Sequence, residues 1–389
     1  MKRVAKRISE TGKKSFGMYA MAAALGASGR DLVHMELGRP YADTPECIKQ
    51  ATIDALRAGE VHYSDMRGTP QLREALAAKL QRANDLDVSP DDVLVTNGLT
   101  HASFAAFAAV LDPGDEAILL EPCYPQHIGK IELFGAVPVY AKLDAASGFR
   151  IDVESIRARI TARTRMVVLV NPCNPTGRVY TRDELQALAD LCIAHDLLVV
   201  SDEVYEDIVY EGHRHLSIAS LPGMAERTIS MFAFTKSYAM DGWRIGYLAA
   251  PRWLMSGLLK VTSNDVTHVN TFIQAGAHAA VTRAGKELAG LVAEDEQKRN
   301  HAVVRLNQMK GVRCAPPQGS IYAFPDVSSF GLPSQQLAER ILQEADVVVE
   351  AGSFYGPAGE GHLRICFGAQ SFERLDEGMD RLAAFFDKL

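Results

Sequence analysis

The sequence of 389 residues predicts an α/β fold with a mostly parallel sheet. Short apolar runs alternate with helical patterns along the chain, and the runs are apolar throughout rather than at every second residue. Such strands are typical of a sheet that helices cover on both faces. The chain is long enough for a large core shared between two domains, and we find no low-complexity segment, long linker or repeat.

Six apolar runs predict strands, and unusual polar residues follow them. The runs are VLVTNG (93–98), AILLEP (117–122), MVVLVNP (166–172), LLVVSDE (197–203), TISMFAF (228–234) and IGYLAAP (245–251). A helix is predicted after the third run, because Thr181 and Glu184 have the spacing of a capping box. Ligands of such sheets bind beyond the carboxyl ends of the strands. The polar residues at those ends are Asn97, Gly98, Tyr124, Asn174, Asp202, Tyr205 and Lys236.

Composition excludes several classes of function. The net charge of −7 and the isoelectric point near 5.9 argue against a general nucleic-acid-binding surface, which needs a basic excess. The six cysteines are far apart with no CxxC, which argues against a metal site or a disulfide framework. We expect buried thiols in a reducing compartment, hence a cytoplasmic protein. No apolar run reaches the ~18 residues that a membrane span requires.

The N-terminal segment loosely imitates a secretory signal. Basic MKRVAKRISETGKK precedes small, apolar FGMYAMAAALGASG. Ser9, Glu10 and Thr11 interrupt the pattern, and the apolar part is mostly alanine. We therefore expect an exposed amphipathic helix here rather than an export signal.

The stretch NPCNPTGRVY (171–180) predicts a shaped turn at the end of a strand. Its two prolines remove backbone donors and fix φ, so neither a helix nor a central strand continues through it. Asn, Pro, Thr and Gly are also ordinary turn residues. The stretch alone therefore leaves a plain turn as an alternative to a functional loop.

Three residues at the strand ends suggest carbonyl chemistry. Most lysines are solvated, but Lys236 follows a buried strand, where desolvation lowers the pKa of an amine and prepares it to form a Schiff base. Asp202 ends LLVVSD, and a buried carboxylate needs a cationic partner, either within the fold or on a protonated ring such as that of pyridoxal phosphate. Tyr205 could donate a hydrogen bond to the same ring or could be a packed core residue.

Two further patterns suggest anion binding. In VTNGLTHA a strand, a turn and a helix start place Gly98, Leu99 and Thr100 so that backbone N–H groups can point at an anion. Arg244 can add a bidentate positive charge. Arg364, in GPAGEGHLRICF, could clamp a carboxylate or could lie at the surface. There is no P-loop motif and no GxGxxG after a strand.

Together these motifs resemble the class I/II aminotransferases of the fold-type-I pyridoxal phosphate-dependent enzymes, the aspartate aminotransferase-like group. The resemblance is carried, in family order, by LGRPYADTP, HYSDMRGTPQLREAL, VTNGLTHA, EPCYP, NPCNPTGRVY, SDEVYED, FTKSYAMDGWRIGY, PQGSIYAF and GEGHLRICF. It implies a large cofactor-binding domain over residues 44–285, with a mostly parallel seven-stranded sheet flanked by helices. It also implies a smaller α+β domain formed by residues 1–43 and 286–389.

The resemblance assigns a cofactor-binding role to ten residues. Lys236 bonds covalently to the aldehyde of pyridoxal 5'-phosphate, Asp202 pairs with its pyridine nitrogen, and Tyr124 stacks on its ring. Tyr205 and Asn174 bind the phenolic oxygen. The phosphate is held by Gly98, Leu99, Thr100, Arg244 and, from the neighbouring subunit, Tyr63. A homodimer with shared active sites is therefore implied.

The substrate side of the resemblance rests on Gly38, Asn174 and Arg364, which hold the α-carboxylate of the substrate. The implied reaction moves an amino group between an L-amino acid and a 2-oxo acid by a ping-pong mechanism. Two departures from the family pattern are Ala233, where many relatives have a serine, and Arg39, which either reads a second carboxylate or pairs with an acid.

Two other functions compete with transamination. A carbon–sulfur β-lyase of the same superfamily would use the same Lys236 and Asp202, but NPTG rather than NPGG favours transamination. A ligand-sensing regulator domain is disfavoured, because the ~30 residues before the resemblance are too few for a DNA-binding head and the net charge is negative.

Overall fold

The computed structural model describes residues 4–10, 17–27 and 29–389. The strands are β1 (Val33–His34), β2 (Val93–Thr96), β3 (Glu116–Glu121), β4 (Val137–Lys142), β5 (Thr164–Val170), β6 (Leu198–Asp202), β7 (Thr228–Ala233), β8 (Gly246–Ala249), β9 (Tyr322–Ala323), β10 (Val347–Val348), β11 (Glu350–Ala351) and β12 (Leu363–Cys366). The helices are α1 (Lys6–Glu10), α2 (Met18–Gly26), α3 (Glu46–Arg57), α4 (Pro70–Asn84), α5 (Leu99–Val110), α6 (Pro125–Leu133), α7 (Val153–Arg157), α8 (Arg182–Ala194), α9 (Phe234–Ser237), α10 (Arg252–Asp265), α11 (Thr271–Arg283), α12 (Gly285–Gln308), α13 (Ser334–Ala345) and α14 (Phe372–Phe386).

A seven-stranded sheet in the order β2-β8-β7-β6-β5-β3-β4 forms the centre of the molecule. Four of its strand pairs are parallel, and only β8 runs antiparallel to its neighbours β2 and β7. The α/β fold with a mostly parallel sheet is therefore confirmed. The six predicted runs all form strands, whereas the edge strand β4 was not predicted. It contains Pro138 and is only partly buried, so it lacks the continuous apolar signal of the inner strands.

Helices cover both faces of this sheet, as the apolar strands require. In β5, Val168 packs with residues of α5, α6 and α10, whereas Val167 and Leu169 pack on the other face with residues of α8. The start of α8 has the predicted capping box, because Thr181 N–H donates to Glu184 Oε2 at 3.0 Å and Glu184 N–H donates to Thr181 Oγ1 at 3.3 Å. This packing fixes the strands, and so their carboxyl ends, in a rigid frame.

A second region consists of short strands and the C-terminal helices. The pair β1–β10 and the three-stranded sheet β11-β12-β9 pack with α12, α13 and α14 around one apolar core. Tyr205 and Ile208, from the loop after β6, belong to that same core. The two regions are thus in contact beside the carboxyl ends of the large sheet. The division into domains at residues 43/44 and 285/286 stays a prediction.

The N-terminal segment differs in part from the expected single exposed helix. The structure has two short helices, of which α2 buries Met18 and Ala22 on one face while its other face is exposed. Residues 11–16 between these helices lie outside the described part. All six cysteines are free thiols, and five of them are buried. Among the described helices, none combines the length and the apolar character that crossing a bilayer demands.

Candidate active site

A cavity of about 470 Å³ lies at the carboxyl ends of the parallel strands, between the large sheet and the second region. It brings together ten of the twelve predicted site residues, which are Gly38, Leu99, Thr100, Tyr124, Asn174, Asp202, Tyr205, Lys236, Arg244 and Arg364. Gly98 directly precedes two of these, and only Tyr63 lies elsewhere. Strand ends that are far apart in the sequence therefore converge on one space, as the parallel topology predicts.

Lys236 projects into this cavity from α9, the single turn of helix that follows β7. Its Nζ donates a hydrogen bond to the carbonyl oxygen of Gly38. Burial lowers the pKa of this amine from 10.5 to about 8, since the low-dielectric surroundings disfavour the charged form. The lowered pKa increases the fraction of Lys236 side chains that are neutral, and so nucleophilic, near neutral pH.

Asp202 occupies the end of β6 and is only 2% exposed. The partner of its carboxylate is His127, whose Nε2 lies 3.1 Å from Oδ2. His127 is fully buried in α6, two residues after the helix begins, and it was not among the predicted site residues. The contact with His127 holds this carboxylate in position at the wall of the cavity, where a cationic group bound in the cavity could pair with it.

The start of α5 and Arg244 form an anion-binding corner. Gly98 is the N-cap residue, with φ +75°, and the first N–H groups of the helix have no partner inside it. A Cβ atom on Gly98 would lie 2.6 Å from Nη2 of Arg244, so the guanidinium packs directly on this turn. Arg244 itself has φ +54°, and its Nη1 donates to the carbonyl oxygen of Asp241 at 3.0 Å. The combination of helix N-terminus and fixed cation suits a phosphate.

Arg364 lies in β12 on another wall of the cavity and is buried. Its Nη1 donates to Oδ1 of Asn174 at 3.2 Å, and its Nη2 donates to the carbonyl oxygen of Glu36. The rings of Tyr322 and Tyr355 lie 4.3 and 5.0 Å from its guanidinium carbon. Among the described residues, Nε has no hydrogen-bond partner. The guanidinium is therefore held rigidly and retains donor capacity for a carboxylate.

The turn at residues 171–180 holds Asn174 between this arginine and the cavity. Gly177 N–H donates to the carbonyl oxygen of Cys173 at 2.9 Å, and Tyr180 N–H donates to Oδ1 of Asn171 at 3.1 Å. Asn174 is buried as a result, and its side chain contacts Arg364. The stretch is therefore a structured loop of the cavity wall rather than a plain surface turn.

Two tyrosines of the cavity are kept as neutral phenols. Burial raises the pKa of both Tyr124 and Tyr205 above the ordinary value. The hydroxyl of Tyr205 lies 2.9 Å from the hydroxyl of Tyr322, which belongs to the motif PQGSIYAF and is not a predicted site residue. Tyr124 meets the ring of His127 edge-on at 5.4 Å. Both phenols can therefore act as hydrogen-bond donors at neutral pH.

Tyr63 and Arg39 lie outside the cavity. Tyr63 is 88% exposed and contacts the ring of His268 edge-on at 5.0 Å. Arg39 is exposed, while its neighbours Leu37 and Gly38 line the cavity. Within one chain, neither residue lines this cavity.

The fold and this cavity define the class of protein. The family of class I and II aminotransferases matches residues 30–382, and the chain belongs to that family. It is 37% identical over 361 residues to an aspartate aminotransferase of Pyrococcus abyssi, with 92% of each chain covered. It is 38% identical over 354 residues to aromatic-amino-acid aminotransferase 2 of Thermococcus litoralis, with 90% of each covered. The aspartate aminotransferase of Rhizobium meliloti superposes with a TM-score of 0.95 at 32% identity over the full length of both chains.

These relatives establish the type of reaction. The chain is an aminotransferase, which moves an amino group between an L-amino acid and a 2-oxo acid. The family depends on pyridoxal phosphate. Nothing in the comparisons favours the β-lyase alternative.

Proposed function

We propose that this cavity binds pyridoxal 5'-phosphate together with an L-amino acid or a 2-oxo acid and carries out ping-pong transamination. The observation that carries this proposal is the placement of Lys236 and Asp202. An amine with a lowered pKa and a buried carboxylate line the same cavity, and Arg364 lines another wall of it. A nucleophile, a partner for a cationic ring and a carboxylate clamp are the three groups that this reaction requires.

The residues present fit this cofactor. The backbone N–H groups of Leu99 and Thr100, with Gly98 and Arg244, would hold its phosphate, because helix start and guanidinium converge there. Asp202 would pair with the ring nitrogen. The three remaining contacts are assigned to Tyr205 and Asn174 at the phenolic oxygen and to Tyr124 against the ring, since all three line the cavity. Ala233 offers no hydroxyl, so Arg244 and the helix start carry the phosphate.

The side chains around the cavity would then have separate roles in substrate binding and proton transfer. When bound, pyridoxal phosphate supplies an aldehyde that takes up the amino group and a ring that accepts electrons from the substrate Cα. Arg364 and Asn174 hold the α-carboxylate, with the backbone of Gly38 beside them. The Nζ of Lys236 would take the proton from the substrate Cα as a general base and would return a proton as a general acid. Its pKa of about 8 suits both roles near neutral pH.

We propose further that the enzyme is a cytoplasmic homodimer. Tyr63 is assigned to the cofactor phosphate of the neighbouring subunit, and its nearly complete exposure in the single chain supports this role. The free thiols support a reducing compartment. Because the relatives are an aspartate and an aromatic-amino-acid aminotransferase, both kinds of amino acid are candidate donors.

A reductive trapping experiment tests the proposal. The protein is loaded with pyridoxal phosphate, reduced with borohydride and digested, and we expect the label on the peptide that contains Lys236. Label on another lysine, such as Lys260 on α10, would refute the assignment. A half-reaction screen with aspartate, aromatic and other L-amino acids should convert the aldehyde form of the cofactor to the amine form. Release of pyruvate with ammonia would instead support the β-lyase.

A further inference from the structure

Tyr322 contacts one residue assigned to the cofactor and one residue assigned to the substrate carboxylate. Its hydroxyl lies 2.9 Å from that of Tyr205, and its ring lies 4.3 Å from the guanidinium carbon of Arg364. A Cβ atom on Gly38 would lie 1.8 Å from the same hydroxyl, so Tyr322 also packs on the backbone that accepts the hydrogen bond of Lys236. At 2% exposure, it has no alternative contact with bulk water.

The backbone around Tyr322 fixes this position. Tyr322 begins β9 and pairs with Cys366 of β12, the strand that also carries Arg364. The rings of Tyr205 and Tyr322 meet at 80° with centroids 5.7 Å apart, and their hydroxyl oxygens lie 2.9 Å apart. Tyr322 is thus held by the second region while it contacts a residue from the loop after β6.

The proposed function implies a direction for the hydrogen bond between the hydroxyls of Tyr205 and Tyr322. A phenol has one O–H hydrogen, so one donor cannot serve two acceptors. If Tyr205 donates to the phenolic oxygen of the cofactor, as the proposed function requires, its own oxygen must accept from Tyr322. Burial raises the pKa of Tyr322 to about 12, so its hydroxyl retains the proton that this bond needs.

We infer that Tyr322 is a positioning residue that couples cofactor binding to substrate binding: its hydroxyl directs the proton of Tyr205 to the cofactor oxygen, and its ring supports Arg364 at the substrate carboxylate. This inference rests on the proposed function. Tyr322 acts through Tyr205 and Arg364 and is not itself assigned a contact with the reacting atoms. The role of the hydroxyl and the role of the ring can be tested separately, because Tyr322→Phe removes only the hydroxyl whereas Tyr322→Leu removes both the hydroxyl and the ring.

The spectroscopic pKa of the bound cofactor tests the proposed role of the Tyr322 hydroxyl. A hydrogen bond donated to the phenolic oxygen stabilises the deprotonated form, so weakening it should raise the pH midpoint of the visible-absorbance change. We expect an upward shift of roughly 0.3–1 pH unit in Tyr322→Phe. Tyr355→Phe is the matched control, since Tyr355 faces Arg364 too but its buried hydroxyl has no partner among the described residues. It should leave the midpoint unshifted.

A double-mutant cycle distinguishes coupling from a general disturbance. If Tyr322 acts through Tyr205, then Tyr205→Phe with Tyr322→Phe should have the same midpoint as Tyr205→Phe alone. Additive shifts, or equal shifts in Tyr322→Phe and Tyr355→Phe, would overturn the inference. Because the phenylalanine variants retain the buried rings, thermal unfolding monitored by circular dichroism should show folded protein in each.

Binding of unreactive carboxylates tests the proposed role of the Tyr322 ring. The dissociation constants of succinate and propionate should change less than about twofold in Tyr322→Phe and rise by roughly five- to tenfold in Tyr322→Leu, which lacks the aromatic face under Arg364. Equal affinities for these carboxylates in the two variants would overturn the proposed role of the ring. A failure of the proposed function itself would look different. Wild-type protein mixed with pyridoxal phosphate would then lack a pH-dependent visible absorbance band that depends on Lys236, and Lys236→Ala would have the same spectrum.

Discussion

His127 and Asp202 form a buried pair in which Nε2 of the imidazole lies 3.1 Å from Oδ2 of the carboxylate. The pair joins the first turn of α6 to the end of β6, and Val204 N–H donates to the other oxygen, Oδ1, at 3.3 Å. The carboxylate is thereby fixed in position at the wall of the cavity. A buried acid held in this way is costly unless a cation binds opposite it, which a protonated cofactor ring would provide.

Asp202→Asn should slow transamination while leaving cofactor attachment intact. The amide retains the size of the side chain but cannot stabilise positive charge on the ring nitrogen, so the first half-reaction should fall by at least about 10²–10³-fold. Rapid mixing of the loaded enzyme with a good amino acid donor measures this rate. His127→Gln is the comparison variant, since it changes the side chain that contacts Asp202 but leaves the Asp202 carboxylate in place. Its loss should be smaller, and a wild-type rate in Asp202→Asn would contradict the ring-nitrogen role.

The charge state of Lys236 should make the stability of the cofactor-free protein pH-dependent. The folded-state pKa of about 8 lies below the usual 10.5, so below pH 8 the folded protein must hold a desolvated ammonium. Between pH 8 and 10.5 the folded state loses this proton while the unfolded state retains it, and wild-type stability rises relative to a variant without the charge.

Lys236→Met tests this pH dependence. Below pH 8 the variant should be more stable than wild type by about 1–3 kcal/mol, a range reduced from the full pKa difference because the side chain faces a cavity. The advantage should shrink as the pH approaches 10.5. Chemical unfolding at pH 7 and pH 10 measures it. An advantage that is the same at both pH values would show that Lys236 does not titrate in this window.

Arg364→Ala should impair substrate binding far more than cofactor binding. The change removes the donors that face the cavity and leaves Asn174 Oδ1 and the Glu36 carbonyl without their partner. We expect KM for the amino acid to rise by about 10²-fold, with cofactor affinity changed only a few-fold. Arg340→Ala is a suitable control, because Arg340 pairs with Glu344 on the surface of α13. A parallel loss of cofactor and substrate affinity in Arg364→Ala would argue against a substrate-specific clamp.

Gly98→Ala should weaken cofactor binding through the phosphate corner. The new Cβ would lie 2.6 Å from Nη2 of Arg244, so the guanidinium has to move. Gly114→Ala is the matched control, since Gly114 also has positive φ (+91°) but no atom within 4 Å of the new Cβ. Both variants should lose about 1 kcal/mol of stability from backbone strain. Only Gly98→Ala should raise the dissociation constant of pyridoxal phosphate, as measured by fluorescence titration, and equal affinities would exclude the predicted corner.

The parallel sheet explains which parts of the site could be predicted from the sequence. Asp202 and Lys236 each end or follow an apolar strand, and the topology alone brings such ends together. His127 carries no such signal, because its contact with Asp202 depends on how α6 packs on the sheet. Tyr322 lies in a strand of two residues, and its role depends on the contact between the two regions. Periodicity and spacing describe neither of these tertiary contacts.

Tyr63 should serve the active site of the partner subunit rather than that of its own chain. In the single chain it is 88% exposed and does not line the cavity, so its proposed phosphate contact requires a second copy. Lys236→Ala should abolish turnover, and Tyr63→Ala should raise the dissociation constant of the cofactor. When the two variants are co-expressed, a mixed dimer contains one site with an intact Lys236 from one chain and an intact Tyr63 from the other. We expect that dimer, purified with two different affinity tags, to regain about half of the wild-type turnover at low cofactor concentration. If it instead shows the weak cofactor affinity of the Tyr63→Ala homodimer, Tyr63 does not act across the interface.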